Sequence, residues 1–244
     1  MSPHPNISFV RLGNFIKLFK MKSIKLSLIA LILTGIFMSS CEKEKLCTNG
    51  EGPVVTQTLN VADFSAIDLA GTNNVTIMEG ESQEVKAIGQ ANIISRVKTD
   101  VSGGKWKIDM EKGCYEDYEL TIAITVPNIE EVKISGHGDV SIYGFENVAQ
   151  LEVSISGSGN VIAHEAFPGL QKLDISISGS GEFRGFPLVA KECEINVPGS
   201  GKLEVNVTEK LDVNISGSAK VYYKGTPTIT QKITGSGEII GNRI

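Results

Sequence analysis

The chain has 244 residues, of which 26 are glycine and only 6% are aromatic. This composition favours an all-β protein with many tight turns, and a hydrophobic fraction of 41% argues against disorder over most of the chain. Residues 1–40 hold five basic residues and no acidic ones, which leaves 18 basic against 28 acidic residues in the rest. Nucleic acids and anionic lipid headgroups are recognised by clustered Lys and Arg, so the composition argues against both as partners.

The N-terminal 40 residues have the pattern of a signal peptide whose natural start is Met21. Two lysines precede an apolar stretch over residues 26–38, which is too short for a transmembrane helix of ~20 residues. The small residues Ser39 and Ser40 then precede Cys41, an arrangement that resembles a bacterial lipobox. In such signals the cysteine is diacylated and becomes the first residue of the mature chain. The alternative is a plain secretory signal with an incidental cysteine.

Residues 41–52 are predicted to be a lipidated tether between the membrane and the folded domain. Glu42, Lys43 and Glu44 are similar to the acidic surface-export signal of Bacteroidetes lipoproteins. We therefore expect an outer-membrane lipoprotein that faces either the cell surface or the periplasm.

Three further cysteines lie in the body of the chain, and an oxidising compartment permits one disulfide among them. Cys193 shares strand parity with Ile195 and Val197, so it is expected to point inward as a buried free thiol. By elimination, Cys47 and Cys114 are the hypothetical disulfide pair.

The first half of the domain carries an irregular copy of a pattern that becomes regular later. Strands are predicted over residues 84–88, 105–110 and 119–126, and Trp106 shares the parity of the core positions on its strand. One continuous domain is expected over residues 53–244, with a degenerate N-terminal half that caps regular repeats over residues 130–240.

The second half repeats a serine- and glycine-rich turn six times, at spacings of 21, 22, 20, 18 and 18 residues. The first glycines of these turns are Gly136, Gly157, Gly179, Gly199, Gly217 and Gly235. Four and two residues before each glycine, and four after it, 17 of the 18 residues are apolar and most are β-branched. The same offsets around Gly71 carry Ile67, Leu69 and Val75, which indicates a first copy there.

Period-two patterning on both sides of a glycine corner, repeated every ~20 residues, predicts a stacked parallel β-helix. Equivalent positions of successive coils would form apolar ladders, and a flat antiparallel sandwich is the alternative. Glycine suits the corners because it reaches positive φ and packs closely against the next corner.

The order of these elements resembles a known family of bacterial envelope proteins. A lipobox, the segment from Phe64 to Ile77 (FSAIDLAGTNNVTI) and the successive S-G-S-G turns are together similar to the "putative auto-transporter adhesin, head GIN domain" family, over about residues 55–240. The resemblance implies a right-handed parallel β-helix, and it supplies no catalytic residues.

No catalytic, cofactor or metal site is expected from the sequence. The turns lack the Lys-Ser/Thr and the helix of a phosphate-binding loop, and the lone His137 and His164 lack partners at zinc spacing. Three residues after each first glycine the chain has an expected outer row of mixed sign, which is interpreted as self-neutralising: Asp139, Asn160, Glu182, Lys202, Lys220 and Glu238. The acidic segment over residues 111–119 is interpreted as a connecting loop.

The expected function is a non-enzymatic, lipid-anchored, adhesin-like module that binds a glycan or a protein. The alternatives are a polysaccharide-active enzyme, which the presence of only three arginines after residue 40 disfavours, and a purely structural envelope component. An open last coil would be an unpaired β-edge, so residues 241–244 either fold over it or two copies meet there as a homo-oligomer.

Overall fold

A computed structural model of the protein describes residues 47–241, and the predicted signal peptide and lipidation site at Cys41 lie outside this part. In chain order the elements are β1 (Thr48–Asn49), β2 (Val54–Thr58), β3 (Ala66–Leu69), β4 (Asn74–Glu79), β5 (Glu84–Gln90), α1 (Ala91–Ile94), β6 (Val101–Ser102), β7 (Lys105–Ile108), β8 (Tyr115–Glu116), β9 (Leu120–Val126), β10 (Glu131–Ile134), β11 (Val140–Ile142), β12 (Gln150–Ile155), β13 (Asn160–Ala163), β14 (Lys172–Ile177), β15 (Glu182–Val197), β16 (Lys202–Ile215), β17 (Lys220–Lys224), β18 (Thr228–Ile233) and β19 (Glu238–Gly241). Within residues 47–241, no helix has the length and apolarity needed to cross a bilayer.

The strands that precede the turns form one side of a β-solenoid, which we call the pre-turn sheet. Its strands stack in parallel in the order β7, β3, β10, β12, β14, β15, β16 and β18. Val132 lies opposite Val153, and Ile134 lies opposite Ile155, so the predicted register is confirmed. The parallel stacking excludes the antiparallel sandwich.

The strands that follow the turns form the opposite side, the post-turn sheet. Its parallel order is β9, β4, β11, β13, β15, β16, β17 and β19. β15 and β16 are long enough to pass from the post-turn sheet of one coil to the pre-turn sheet of the next. The two sheets enclose one hydrophobic core, in which the apolar residues two before and four after each glycine are fully buried until the last coil.

The N-terminal end of the solenoid is covered by the segment between β4 and β10. β7 and β9 form the outermost coil, which stacks on the coil of β3 and β4, and the antiparallel strands β5 and β2 extend the post-turn sheet beyond β9. Ile93 and Ile94 of α1 are buried. Trp106 is also buried, as predicted, and its indole N–H donates to the carbonyl oxygen of Lys98 at 3.0 Å.

Candidate binding face on the pre-turn sheet

The outer surface of the pre-turn sheet carries a continuous row of acidic side chains, one from each successive coil. They lie five residues before each first glycine, and strand pairing places each directly opposite the next: Glu131, Glu152, Asp174, Glu194 and Asp212, followed by Thr230. At ~4.8 Å per strand the five carboxylates extend over about 19 Å along the solenoid. We call this set the acidic row.

A second row of small polar side chains runs beside the acidic row on the same surface. It consists of Ser154, Ser176, Asn196 and Asn214, with Lys133 at one end and Lys232 at the other. The side-chain amide of Asn214 donates to that of Asn196 at 3.1 Å. Each of four consecutive coils therefore presents one carboxylate and one hydroxyl or amide at the same relative positions.

Like charges on adjacent strands repel, and lysines relieve this repulsion at alternate positions of the acidic row. Glu131 pairs with Lys105, and the Nζ–Oδ2 distance between Lys172 and Asp174 is 2.8 Å. Lys210 pairs with Asp212, and this hydrogen bond lowers the pKa of the Asp212 carboxyl group below its ordinary value.

The remaining two acids of the row, Glu152 and Glu194, are exposed, and no cation lies within ion-pair distance of them in the described part of the chain. Asp174 also keeps one carboxylate oxygen, Oδ1, enclosed without a hydrogen-bond donor among those residues. The row therefore retains acceptor capacity that the protein itself does not satisfy.

Shallow grooves follow these two rows along the solenoid. A groove of about 480 Å³ is lined by Glu194, Asn196, Asp212, Asn214, Thr230 and Lys232, and a neighbouring one of about 290 Å³ shares Glu194 and Asn196 and continues to Glu152. A third, of about 590 Å³, extends from Glu152 past Gln150 to Asn128 and Ser65. Their walls offer carboxylate, amide and hydroxyl groups, which bind ligands rich in hydrogen-bond donors.

The acidic row was missed by the sequence analysis, although the signal was present in it. The alignment on the six glycines that defined the apolar positions also places an acid five residues before each of the first five glycines. The outer row predicted from the sequence was instead the one of mixed charge, three residues after each first glycine. In the structure that row is largely satisfied internally, since Asp139 accepts from Asn160 and Glu182 pairs with Arg184 at 2.8 Å.

The six turn glycines lie where successive corners approach most closely. A Cβ atom added to Gly157 would lie 1.7 Å from the carbonyl oxygen of Gly136, and one added to Gly179 would lie 1.8 Å from that of Gly157. The same holds at Gly136, Gly199, Gly217 and Gly235, with distances of 1.8–2.1 Å to the preceding corner. The expectation that these corners use positive φ is wrong, because Gly52, Gly103, Gly104 and Gly225 are the positive-φ glycines of the described residues. Close backbone contact is the reason that the corners require glycine.

The cysteines occupy two different environments. Cys47 and Cys114 form a disulfide across 67 residues, next to the short parallel pair of β1 and β8. Cys193 is a buried free thiol between Leu173 and Leu211 of the neighbouring coils, and burial raises the pKa of its thiol group.

The side chains of His164 and of the acidic loop over residues 111–119 make contacts within the protein itself. His164 stacks on Tyr143 with ring centroids 4.8 Å apart and lies 3.2 Å from the hydroxyl of Ser141. In the loop over residues 111–119, Glu111 pairs with Arg96 at 2.9 Å and its carbonyl oxygen accepts from Tyr115. Cys114 of this loop carries the disulfide, and its carbonyl oxygen accepts from the amide of Thr48 at 2.8 Å.

Comparisons with solved structures identify the same fold in bacterial proteins. A "putative adhesin" from Bacteroides fragilis has a TM-score of 0.69 and 23% sequence identity, over 80% of this chain and 100% of its own. A "putative lipid binding protein" from Parabacteroides distasonis has a TM-score of 0.53 and 23% identity, over 80% of this chain and 99% of its own. No protein of curated function matches the chain. The family described as "putative auto-transporter adhesin, head GIN domain" matches residues 63–227, which is more than half of the chain, and the protein therefore belongs to this family.

Proposed function

We propose that the protein is a non-enzymatic, lipid-anchored envelope protein that binds a glycan along the outer surface of its pre-turn sheet. The in-register pairing of the acidic row with the row of Ser and Asn side chains carries this proposal. Each coil repeats one acceptor group and one hydroxyl or amide group at a fixed spacing. A ligand that itself repeats a polyhydroxylated unit can use several coils at once.

The charge of the surface narrows the class of glycan. Glu152 and Glu194 line the groove without an ion-pair partner among the described residues, and five acids outnumber the three lysines paired along the row. Uronic acids and sulfated sugars would place like charges there, which is unfavourable. Neutral sugars and amino sugars are the expected ligands, because their hydroxyl and ammonium groups donate to carboxylates.

The anchor is the second part of the proposal. Cys41 is the expected acylation site, and the outer membrane is the expected location, on its outer or periplasmic side. The tether, predicted over residues 41–52, is shorter than expected, because Cys47 and β1 are already held by the folded domain. The family description supports a role in the cell envelope. A chain anchored through Cys41 would present the polar grooves to the glycans on whichever side of that membrane it faces.

A glycan array on the full chain with Cys41→Ala tests the ligand class. The double variant Glu152→Gln and Glu194→Gln keeps the shape of the groove and removes its two unpaired charges. Charge-assisted hydrogen bonds contribute about 1.5–3 kcal/mol each, so we expect at least a tenfold loss of affinity for the glycans that bind. Glu209→Gln is the matched control, because Glu209 is exposed and lies outside both rows.

Three results would contradict the proposal. Equal glycan binding by the double variant and the control would place the binding site elsewhere. Release of shorter products from a bound polysaccharide would establish an enzyme. Capture of a defined envelope protein by a chain that binds no glycan would favour a protein ligand.

A further inference from the structure

The two ends of the solenoid are built differently. At the N-terminal end β5 and β2 continue the post-turn sheet past β9, and α1 contributes two buried isoleucines. At the C-terminal end β18 pairs with β16 and β19 pairs with β17, and no further strand of the described residues pairs with either. The last coil therefore has one neighbour where every inner coil has two.

The core positions of the last coil are left partly open by this arrangement. Ile233 is 36% exposed, whereas Val197 and Ile215 at the same position of the two preceding coils are 0% exposed. Ile229 and Ile239 are only partly buried and pack against the edge of the core. The apolar layer between the two sheets thus reaches the surface at this end.

The backbone of the last coil also offers unused hydrogen-bonding groups. The amide groups of Thr234 and Glu238 donate to the preceding coil at 2.9 Å each. In a parallel ladder alternate residues bond to opposite neighbours, so Gln231 and Ile233 of β18 and Ile239 of β19 direct their N–H and C=O groups away from the solenoid. Nothing in residues 47–241 pairs with these two parallel strand edges, one in each sheet, and residues 242–244 lie outside that part.

Of the devices by which proteins usually block edge pairing, β18 carries only a single lysine. β18 contains no proline and pairs with β16 without a register shift. Its one charged side chain is Lys232, and the carboxylate of Glu238 on β19 lies 3.9 Å from Lys220 of the preceding coil. Exposed edges of this kind readily accept another β-strand.

We infer that the C-terminal coil docks against the C-terminal coil of a second copy of this chain. The occupant must bring two strands at the separation of the two sheets, with an apolar layer between them. The last coil of another copy meets this requirement, whereas the N-terminal end is covered. A two-fold axis through the contact pairs both strands antiparallel and brings Ile233 and Ile239 of the two copies together. Because each chain has one such edge, the assembly closes as a dimer and does not grow into a fibre.

The test is the solution mass of the full chain with Cys41→Ala over a range of concentrations, measured by light scattering without glycan. We expect a dimer. Gln231→Pro removes an N–H group that faces the open side, and should raise the dimer dissociation constant at least tenfold. Gln231→Thr keeps that group and should leave the dimer unchanged. Ile233→Lys, which brings like charges together at the contact, should also give a monomer.

A monomeric mass for the unsubstituted chain at every concentration would overturn the inference, and so would dimers of equal stability in all three variants. Circular dichroism establishes that each variant is folded before its mass is compared. The result is independent of the glycan proposal, since neither the acidic row nor a ligand takes part in it.

Discussion

Because successive corners approach each other closely, we expect Gly157→Ala to lower the free energy of unfolding strongly. The new methyl carbon would lie 1.7 Å from the Gly136 carbonyl oxygen, which is about half of an ordinary contact distance. That same oxygen accepts a hydrogen bond from the amide of Ser158 at 3.3 Å. The two corners must therefore separate, and the hydrogen bond between them must lengthen or break.

Overpacking costs about 1–3 kcal/mol and a lost backbone hydrogen bond about 0.5–1.5 kcal/mol, so we expect Gly157→Ala to lower the free energy of unfolding by about 2–4 kcal/mol. With a urea dependence of about 2 kcal/mol per molar, the unfolding midpoint should fall by about 1–2 M. Equilibrium unfolding in urea, followed by circular dichroism, measures this shift.

Gly103→Ala is the matched control, because it separates crowding from backbone conformation. Gly103 has a φ of +60° and no atom within 4 Å of an added Cβ, so its substitution should cost only the left-handed penalty of about 1–2 kcal/mol. If Gly157→Ala proves no more damaging than Gly103→Ala, close contact is not what fixes glycine at the corners.

Three further predictions concern the core, the anchor and the thiols. Ile177→Asp places an unpaired charge at a fully buried position and should abolish the cooperative unfolding transition. Ser176→Asp, on the outer side of the same strand, should leave that transition intact. A native melting curve for Ile177→Asp would contradict the apolar ladder. Cys41→Ala should release the protein from the membrane fraction into the detergent-poor phase, and unchanged partitioning would exclude the anchor. A maleimide should not label Cys193 in the native Cys41→Ala chain. It should label one cysteine after denaturation, and three after denaturation with reduction. Three labelled cysteines after denaturation without reduction would exclude the disulfide.

The apolar register of the solenoid could be predicted because it depends on local rules. Strand side chains alternate, the turn repeats, and identical offsets place residues such as Ile155 and Ile177 in one ladder, where the structure has them. The copy around Gly71 was recognisable for the same reason, and Val75 pairs with Val140 in the expected register.

The spatial order of the first coils could not be predicted in this way. β10 stacks on β3, whose paired residues lie 65 positions earlier in the chain, because the intervening segment turns away and builds the outer coil from β7 and β9. Which side of an existing coil a later strand joins depends on long-range packing around residues such as Trp106, and no periodicity encodes it. The acidic row, in contrast, could have been predicted, since its residues follow the same period at an offset of five residues before each first glycine.

The disulfide also determines how the folded domain would carry a mechanical load. Tension applied to the chain upstream of Cys47 passes through the sulfur–sulfur bond directly to Cys114, so the loop over residues 48–113 lies outside the path of the force. The strands β2 to β7 cannot be peeled off one at a time from the tethered end while that bond is intact. The force enters next at β8 and then at β9, which lies between β4 and β5 in the post-turn sheet. With the bond intact, a load on the tethered side is therefore borne first by β8 and β9, and reduction of that one bond would bring β2 to β7 into the path of the force.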